Sequence, residues 1–287
     1  MAVVDTKHEG MITDSKYDYY GRRLAICSSD GHVKIIENDA SVSSTLSYHQ
    51  GSVQCVNWSH PKYGPLLASG GSDHRVVIWK ETTAHKWGVV YEYIGHTGPI
   101  TCLSWSPYQY GLQLLIGSID GCVSLLRFQE HEIWQCKTFY THCNGVLACN
   151  WAPVYEGLLD IVNQVPRFVT SGADYDIKIW EENSDGDFDC QTLSKHKGWV
   201  RGLVWGRELF SASDDGIVLM WKFEGSWKAV EIFNVKQIVW ALDWNEMGQY
   251  VAVCCGDNVT RVIKEGQDGM WKVLYEVMDN GQVVENN

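Results

Sequence analysis

The chain has 287 residues with 35 acidic and 23 basic side chains, a net charge of −12; that deficit excludes nucleic acid or anionic lipid as the main partner, because both are held by clustered Lys and Arg. Apolar residues make up 45% of the chain, which excludes a wholly disordered protein, and no apolar run nears the roughly 18 residues a membrane helix needs. The first residues, MAVVDTKHEG, show no basic segment followed by a long apolar core, so no secretory signal is read. A cytosolic or nuclear setting is therefore expected, with the ten Cys as small buried hydrophobes and no glycan on the Asn57 and Asn258 triplets.

Along the chain, a segment of small residues followed by Asp and an apolar run recurs six times. The copies are CSSDGHVKII, GGSDHRVVIW, GSIDGCVSLL, SGADYDIKIW, SASDDGIVLMW and CCGDNVTRVI. Their aspartates, Asp30, Asp73, Asp120, Asp174, Asp215 and Asp257, are 43, 47, 54, 41 and 42 residues apart. A second mark keeps a fixed offset. His49, His96, His142 and His196 each lie nine residues before a Trp, and His8 stands at the same distance from Tyr17. In the sixth copy Val235 takes the place of the His before Trp244.

Each copy predicts four short strands. After the His comes one such as GSVQCVNW, then LLASGG, the VVIW run, and a fourth such as VVYEYI before the next His. Gly, Asn, Asp and Pro separate them, and no long helical period appears. Several strands are apolar on both faces, as sheets sandwiched between sheets must be. Four-stranded repeats of this length are the blades of a β-propeller, so the expected fold class is all-β with six four-stranded blades. The long spacing of 54 comes from an insertion around residues 156–166, placed in a surface loop of the fourth blade.

In three copies a hydroxyl stands four residues before the Asp. This yields the sets His49–Ser69–Asp73–Trp79, His142–Thr170–Asp174–Trp180 and His196–Ser211–Asp215–Trp221. They look like catalytic triads. Repetition at one register argues against that, since a catalytic site is normally single. They are read as structural hydrogen-bond tetrads of the WD-repeat type, in which Asp accepts from His, His bonds the hydroxyl, and the hydroxyl meets the indole N–H. Copies one, three and six depart: Ile26, Ile116 and Val253 replace the hydroxyl, and Ile36, Leu126 and Ile263 replace the Trp. Losing both together leaves neither one stranded.

No catalytic residue, metal site or cofactor is predicted. His131, Cys136, His142, Cys143 and Cys149 contain no Cys-x2-Cys pair, and His142 already belongs to the repeat. No phosphate-binding glycine loop appears. The acidic cluster Glu181, Glu182, Asp185, Asp187 and Asp189 reads as a solvated loop, and residues 278–287 as a frayed tail.

The strand count does not close. Every other His follows the outer strand of a preceding blade, as in YEYIGH and KTFYTH, so the AVVDTK before His8 should also be an outer strand. The sixth copy ends with its own outer strand, WKVLYEV, which leaves that first strand an orphan. The organisation read from this is one domain over 1–287: residues 1–7 as the orphan strand, 8–277 as six blades, then the tail. Either the six blades close, with the N-terminal strand on the outer edge of blade six or loose, or the propeller is open and a partner completes a seventh blade in trans. In the second case Ala2, Val3, Val4, Asp5, Thr6 and Lys7 bind the partner's strands.

The segments HEGMITDSKYDYYGRRLAICSSDGHVKI, HPKYGPLLASGGSDHRVVIWKE, SWSPYQYGLQLLIGSIDGCVSLL and RFVTSGADYDIKIWEE resemble the small WD-repeat subunit of the outer coat of COPII vesicles, a family shared with the Y-shaped complex of the nuclear pore. The similarity runs in order from about residue 5 to residue 277. It departs at the very short connection between KHKGWVRGLVW and GRELFSAS and in the brief fourth-blade insertion, which bears on loop contacts and not on the fold. It implies an open six-bladed propeller completed by a blade from a larger α-solenoid protein: the large outer-cage subunit in the coat, an α-helical nucleoporin in the pore. It also implies a hetero-oligomer at the endoplasmic reticulum and its vesicles or at the nuclear pore, stiffening a scaffold without entering the membrane. A related role is a nutrient-signalling scaffold at lysosomes or vacuoles. A peptide-binding adaptor would need a basic or aromatic pocket at the central channel, and none can be assembled from the sequence. An enzyme would need a solitary acid, base or metal constellation, which is also lacking.

Overall fold

Runs of Val, Ile, Leu and Trp broken by Asp-Gly, Asn-Gly and Pro favour short strands joined by tight turns. A computed structural model describes residues 5–37, 41–129, 133–154, 165–245 and 249–286, in two compact units, Met1–Thr141 and His142–Asn287. The first unit holds three antiparallel sheets. They are Ile12–Tyr17, Arg23–Ser28, His32–Glu37 and Val42–Ser47 (β1–β4); Val53–Trp58, Leu66–Gly71, Val76–Thr83 and Lys86–Tyr93 (β5–β8); and Ile100–Trp105, Gln113–Ser118, Cys122–Phe128 and Trp134–Tyr140 (β9–β12). The second unit also holds three. They are Val146–Trp151, Arg167–Gly172, Asp176–Glu182 and Phe188–Ser194 (β13–β16); Val200–Trp205, Leu209–Ser213, Ile217–Phe223 and Trp227–Asn234 (β17–β20); and Val239–Trp244, Tyr250–Cys255, Thr260–Glu265, Trp271–Val277 and Val283–Glu285 (β21–β25). The only helical turns among the described residues are 3-10 turns at Pro61–Tyr63 and Tyr108–Tyr110. Strands follow chain order across every sheet, as in the six four-stranded blades of a propeller. Most of the fourth-blade insertion, residues 155–164, lies outside the described residues.

In each unit, apolar faces of neighbouring sheets interdigitate. Ala25, Val33 and Ile35 pack with Val53, Leu67 and Val77, and Ala68, Ile78 and Val76 pack with Ile100, Leu114 and Ile116. In the second unit, Val169, Ile177 and Ile179 meet Val200, Leu209 and Leu219, and Phe210, Ala212 and Val218 meet Val239, Val251 and Val253. Strands β6, β10 and β18 are buried along their whole length, which explains why they are apolar on both faces.

The residue after the repeated Asp has positive φ in all six copies: Gly31, His74, Gly121, Tyr175, Gly216 and Asn258. The tight turn between the second and third strands demands this left-handed conformation. Glycine adopts it without strain, whereas His74 and Tyr175 carry a side chain there.

The tail is not frayed. Val283, Val284 and Glu285 pair antiparallel with Val277, Glu276 and Tyr275, adding a fifth strand to the sixth sheet. Gly281 takes φ of +77°, Gln282 N–H donates to Asn280 Oδ1, and Met278 N–H donates to the Gln282 carbonyl. An Asn-Gly turn before Val-Val is a hairpin signal, and here it outweighs the shortness and polarity of the segment.

Candidate functional site

The four strands of a blade bring the His, before the first strand, to the Asp at the turn between the second and third. In blade two, His49 Nδ1 lies 3.0 Å from Asp73, His49 Nε2 lies 2.9 Å from Ser69 Oγ, and the Trp79 indole N–H donates to Ser69 Oγ over 2.9 Å. In blade four the same contacts, His142 to Asp174 and Thr170 and Trp180 to Thr170, are 2.8, 2.9 and 3.0 Å. In blade five, His196 to Asp215 and Ser211 and Trp221 to Ser211, they are 3.0, 2.8 and 2.9 Å. The structure thus brings together every member of the three sets.

Burial holds His142 and His196 below the ordinary histidine range, and their Asp partners only partly counter it. The imidazoles are therefore neutral. A neutral ring that accepts a hydroxyl proton at Nε2 must donate Nδ1–H to the Asp, which fixes the tautomer. Each Asp also ties two loops together. Asp215 accepts the N–H of Lys197 at 2.8 Å and of Ile217 at 3.0 Å, and Asp73 accepts that of Gln50 at 3.0 Å and of Arg75 at 3.3 Å. Ser69, Thr170 and Ser211 have 0% exposure. No substrate carbonyl reaches a hydroxyl buried so completely, so the arrangement can cross-link loops but cannot perform acyl transfer.

The incomplete copies differ from the sequence reading in one respect. His8 and His96 still bond Asp30 and Asp120, at 2.8 and 2.9 Å. Ile26 and Ile116 offer nothing to the other ring nitrogen, so His8 Nε2 and His96 Nε2 are buried without a partner. Dropping hydroxyl and indole together spares those two groups and strands a third. Asp30 nonetheless titrates at about 2: burial opposes ionisation, but His8 and the His32 and Glu9 amides outweigh it. In the sixth copy Arg261 stands in for the missing His. Its Nη1 and Nη2 hold Asp257 at 3.1 and 2.7 Å, and its Nε reaches Glu276 at 3.0 Å. This pair holds the Asp257 carboxyl below its ordinary range. The sequence signal was an Arg four residues after the Asp, on the strand that usually carries the Trp.

The sixth sheet departs in a second way. One face, with Leu242, Val251, Val253 and Ile263, is buried against the fifth sheet. The opposite face carries Ala241, Tyr250, Ala252, Cys254, Val262 and Tyr275, all of them exposed or half-buried. Along β22 burial therefore alternates residue by residue, as in a sheet covered on one side only. The outer edge of β24 is already taken by β25.

Of the partner-binding residues read from the sequence, Ala2, Val3 and Val4 lie outside the described residues. Asp5, Thr6 and Lys7 join no sheet of the chain; Lys7 N–H donates to Asp5 Oδ1, and Lys34 Nζ donates to the Lys7 carbonyl. Glu181, Glu182 and Asp189 border a cavity of about 730 Å³ with Trp205, Phe223 and Trp227. Among the described residues no group of His, Cys, Asp and Glu could hold a metal ion, and no helix is long and apolar enough to cross a membrane. His131 lies outside the described residues.

Comparison with known proteins agrees with this geometry. The WD domain, G-beta repeat, matches residues 87–125, 189–222 and 228–264, and the anaphase-promoting complex subunit 4 WD40 domain matches residues 2–61. The protein transport protein sec13 of Emericella nidulans is 35% identical, covering 96% of this chain and 97% of its own. The SEC13 homolog of Drosophila melanogaster is 34% identical over 95% of this chain and 83% of its own. The protein transport protein SEC13 of Yarrowia lipolytica is 37% identical over 95% and 98%.

Proposed function

The chain belongs to the SEC13 family of WD-repeat propellers, and from that premise we propose that it is a non-catalytic structural subunit of a membrane-coat or pore scaffold, open between its sixth and first blades and completed by a blade from a large α-solenoid partner. The observation that carries this reading is the half-exposed apolar face of the sixth sheet. Ala241, Ala252, Cys254 and Val262 are small or apolar and lie on one face, with Asp243, Thr260 and Lys264 around them, the surface a further blade needs. Residues 2–7 supply that blade's outer strand through backbone hydrogen bonds, leaving three strands to the partner.

The mechanism is mechanical. A propeller locked into a solenoid stiffens it, so assembled rods impose curvature on a membrane that this chain does not enter. A net charge of −12 suits that role, because an anionic leaflet attracts the opposite sign. The vesicle coat of the endoplasmic reticulum is the primary setting, with the large outer-cage subunit as partner; an α-helical nucleoporin is the counterpart at the pore. The test is deletion of residues 1–7. The six blades should keep their melting temperature while pull-down of the blade-bearing solenoid segment weakens. A truncated chain that captures the segment at full strength removes the N-terminal strand from the interface.

A further inference from the structure

The first strand of every sheet begins with the same irregularity. Its register shifts at Thr13, Gln54, Thr101, Leu147, Arg201 and Trp240, a bulge that turns one side chain out of the alternation. In the first unit these side chains are small or polar and donate to protein oxygens: Thr13 Oγ1 to the Val53 carbonyl of the next sheet, Gln54 Nε2 to Ser52 Oγ, Thr101 Oγ1 to the Gly117 carbonyl. In blades five and six they are Arg201 and Trp240, and they meet. The Arg201 guanidinium carbon lies 4.8 Å from the centre of the Trp240 ring and 4.9 Å from that of Trp199. Asp214 accepts from Arg201 Nε at 2.5 Å and from Nη2 at 2.9 Å. The Asp214 amide in turn donates to the Trp199 carbonyl at 2.9 Å.

We propose that Trp199, Arg201 and Trp240 form a docking site for an acidic linear segment of a partner protein, a second attachment point separate from the blade-completing face. Two indoles 43% and 51% exposed are unusual in a fold whose other repeated tryptophans are mostly buried. The guanidinium between them is fixed in its plane before any ligand arrives, so little side-chain entropy remains to be lost on binding. Asp214 occupies one edge only. Nη1 has no partner among the described residues, and the end-on edge it shares with Nη2 matches a second carboxylate. The indole N–H groups of Trp199 and Trp240 add donors without acceptors among the described residues. A site that offers donors and aromatic faces takes a carboxylate beside an apolar or proline residue.

Charge favours the same occupant. Lys197 and Lys236 are exposed on the loops leading into Trp199 and Trp240, Asp214 is offset by Arg201, and the Asp215 carboxyl turns inward to His196 and the Lys197 and Ile217 amides. The patch is thus locally basic on a chain of net charge −12. That global charge repels an extended polyanion such as a nucleic acid but leaves a short acidic peptide free to approach. The indoles stand out from the surface, which suits an extended chain better than a small molecule.

Selection of a displayed library of random dodecapeptides on the full chain tests this. Enriched peptides are expected to carry Asp or Glu beside an aromatic, aliphatic or proline residue. A synthetic copy should bind at least about tenfold more weakly to Trp240→Ala and to Arg201→Gln, in line with loss of a charge-assisted contact, and its Gln-for-Glu version should bind the native chain as poorly. Lys197→Glu with Lys236→Glu, which alters two exposed side chains, should weaken binding at low salt and so separates a binding defect from a folding one. The proposal is overturned if no peptide is enriched, or if enriched peptides ignore all four substitutions. It is equally overturned if phosphatidylserine vesicles or an oligonucleotide, and no peptide, bind through these side chains.

Discussion

The second and sixth sheets are built from the same repeat and finished differently. In the second, β6 is buried along its whole length and His49, Ser69, Asp73 and Trp79 close a complete relay with no group left over. In the sixth, burial alternates along β22, the His has become Val235, Asp257 turns to Arg261, and the buried Trp271 Nε1 has no partner. The difference teaches what the relay is for. Where a blade is covered on both faces, its loops are tied to a carboxylate through a buried imidazole whose hydrogen bonds need full satisfaction. In the sixth sheet an ion pair serves instead: Asp257 and Arg261 are 23% and 15% exposed against 8% and 1% for Asp73 and His49, and charge costs less to hold where water reaches it.

The sharpest way to break that contrast is to remove the same Asp from both sheets. Asp73→Ala strands the buried His49 Nδ1, at about 1–3 kcal/mol, and unties the more exposed Gln50 and Arg75 amides, so about 2–3 kcal/mol of stability should go. Asp257→Ala leaves Arg261 with Glu276 in a more exposed site and should cost about 1 kcal/mol or less. Denaturant titration of the two variants checks this; equal losses would erase the distinction between relay and ion pair.

Acidification sharpens the comparison further. Burial keeps His142 and His196 below the usual value of 6.5. The folded chain then binds fewer protons there than the unfolded chain, so their contribution to stability is complete above pH 6.5 and is lost as the pH falls below it. Hydrogen exchange of β14 and β18 should accelerate between pH 7 and pH 5.5, after correction for intrinsic rates. Exchange of β22 should not, because the Asp257 carboxyl, held low by Arg261, stays ionised throughout that window. Parallel behaviour of all three strands would contradict the assignment of neutral histidines.

The smallest effect lies in the turns. Tyr175 has φ of +73° and Asn258 of +62°. Asn tolerates this region and Tyr does not, so Tyr175→Gly should stabilise by about 0.5–1 kcal/mol and Asn258→Gly by almost nothing. Thermal melts of the two variants read the difference.

Much of this was legible in the sequence because the Asp and the His–Trp offset recur and strands with regular turns have short-range causes. The sixth blade's outer strand begins at Trp271 and ends at Val277, as the pattern predicts. The His–hydroxyl–Asp–Trp sets were legible for the same reason. What was missed depends on context that a repeat alignment averages away. Asn280-Gly281 before Val283 and Val284 is a hairpin signal, and its position after the last copy hid it. Arg261 replaces a His that comes from a distant part of the chain, so nothing at the vacated position announces it. The Trp199–Arg201–Trp240 cluster forms only because a bulge redirects one residue per first strand, and regular alternation gives no hint of a bulge.

The half-exposed face of the sixth sheet, proposed to receive a partner's blade, carries its own probe. Cys254 is half-buried on that face, whereas Cys143 and Cys190 are exposed elsewhere. Alkylation followed by mass spectrometry, with and without saturating blade-bearing solenoid segment, reads each thiol separately. Cys254 should become protected while Cys143 and Cys190 react at unchanged rates. A saturated complex in which Cys254 still reacts at the rate of the free chain would contradict the proposal.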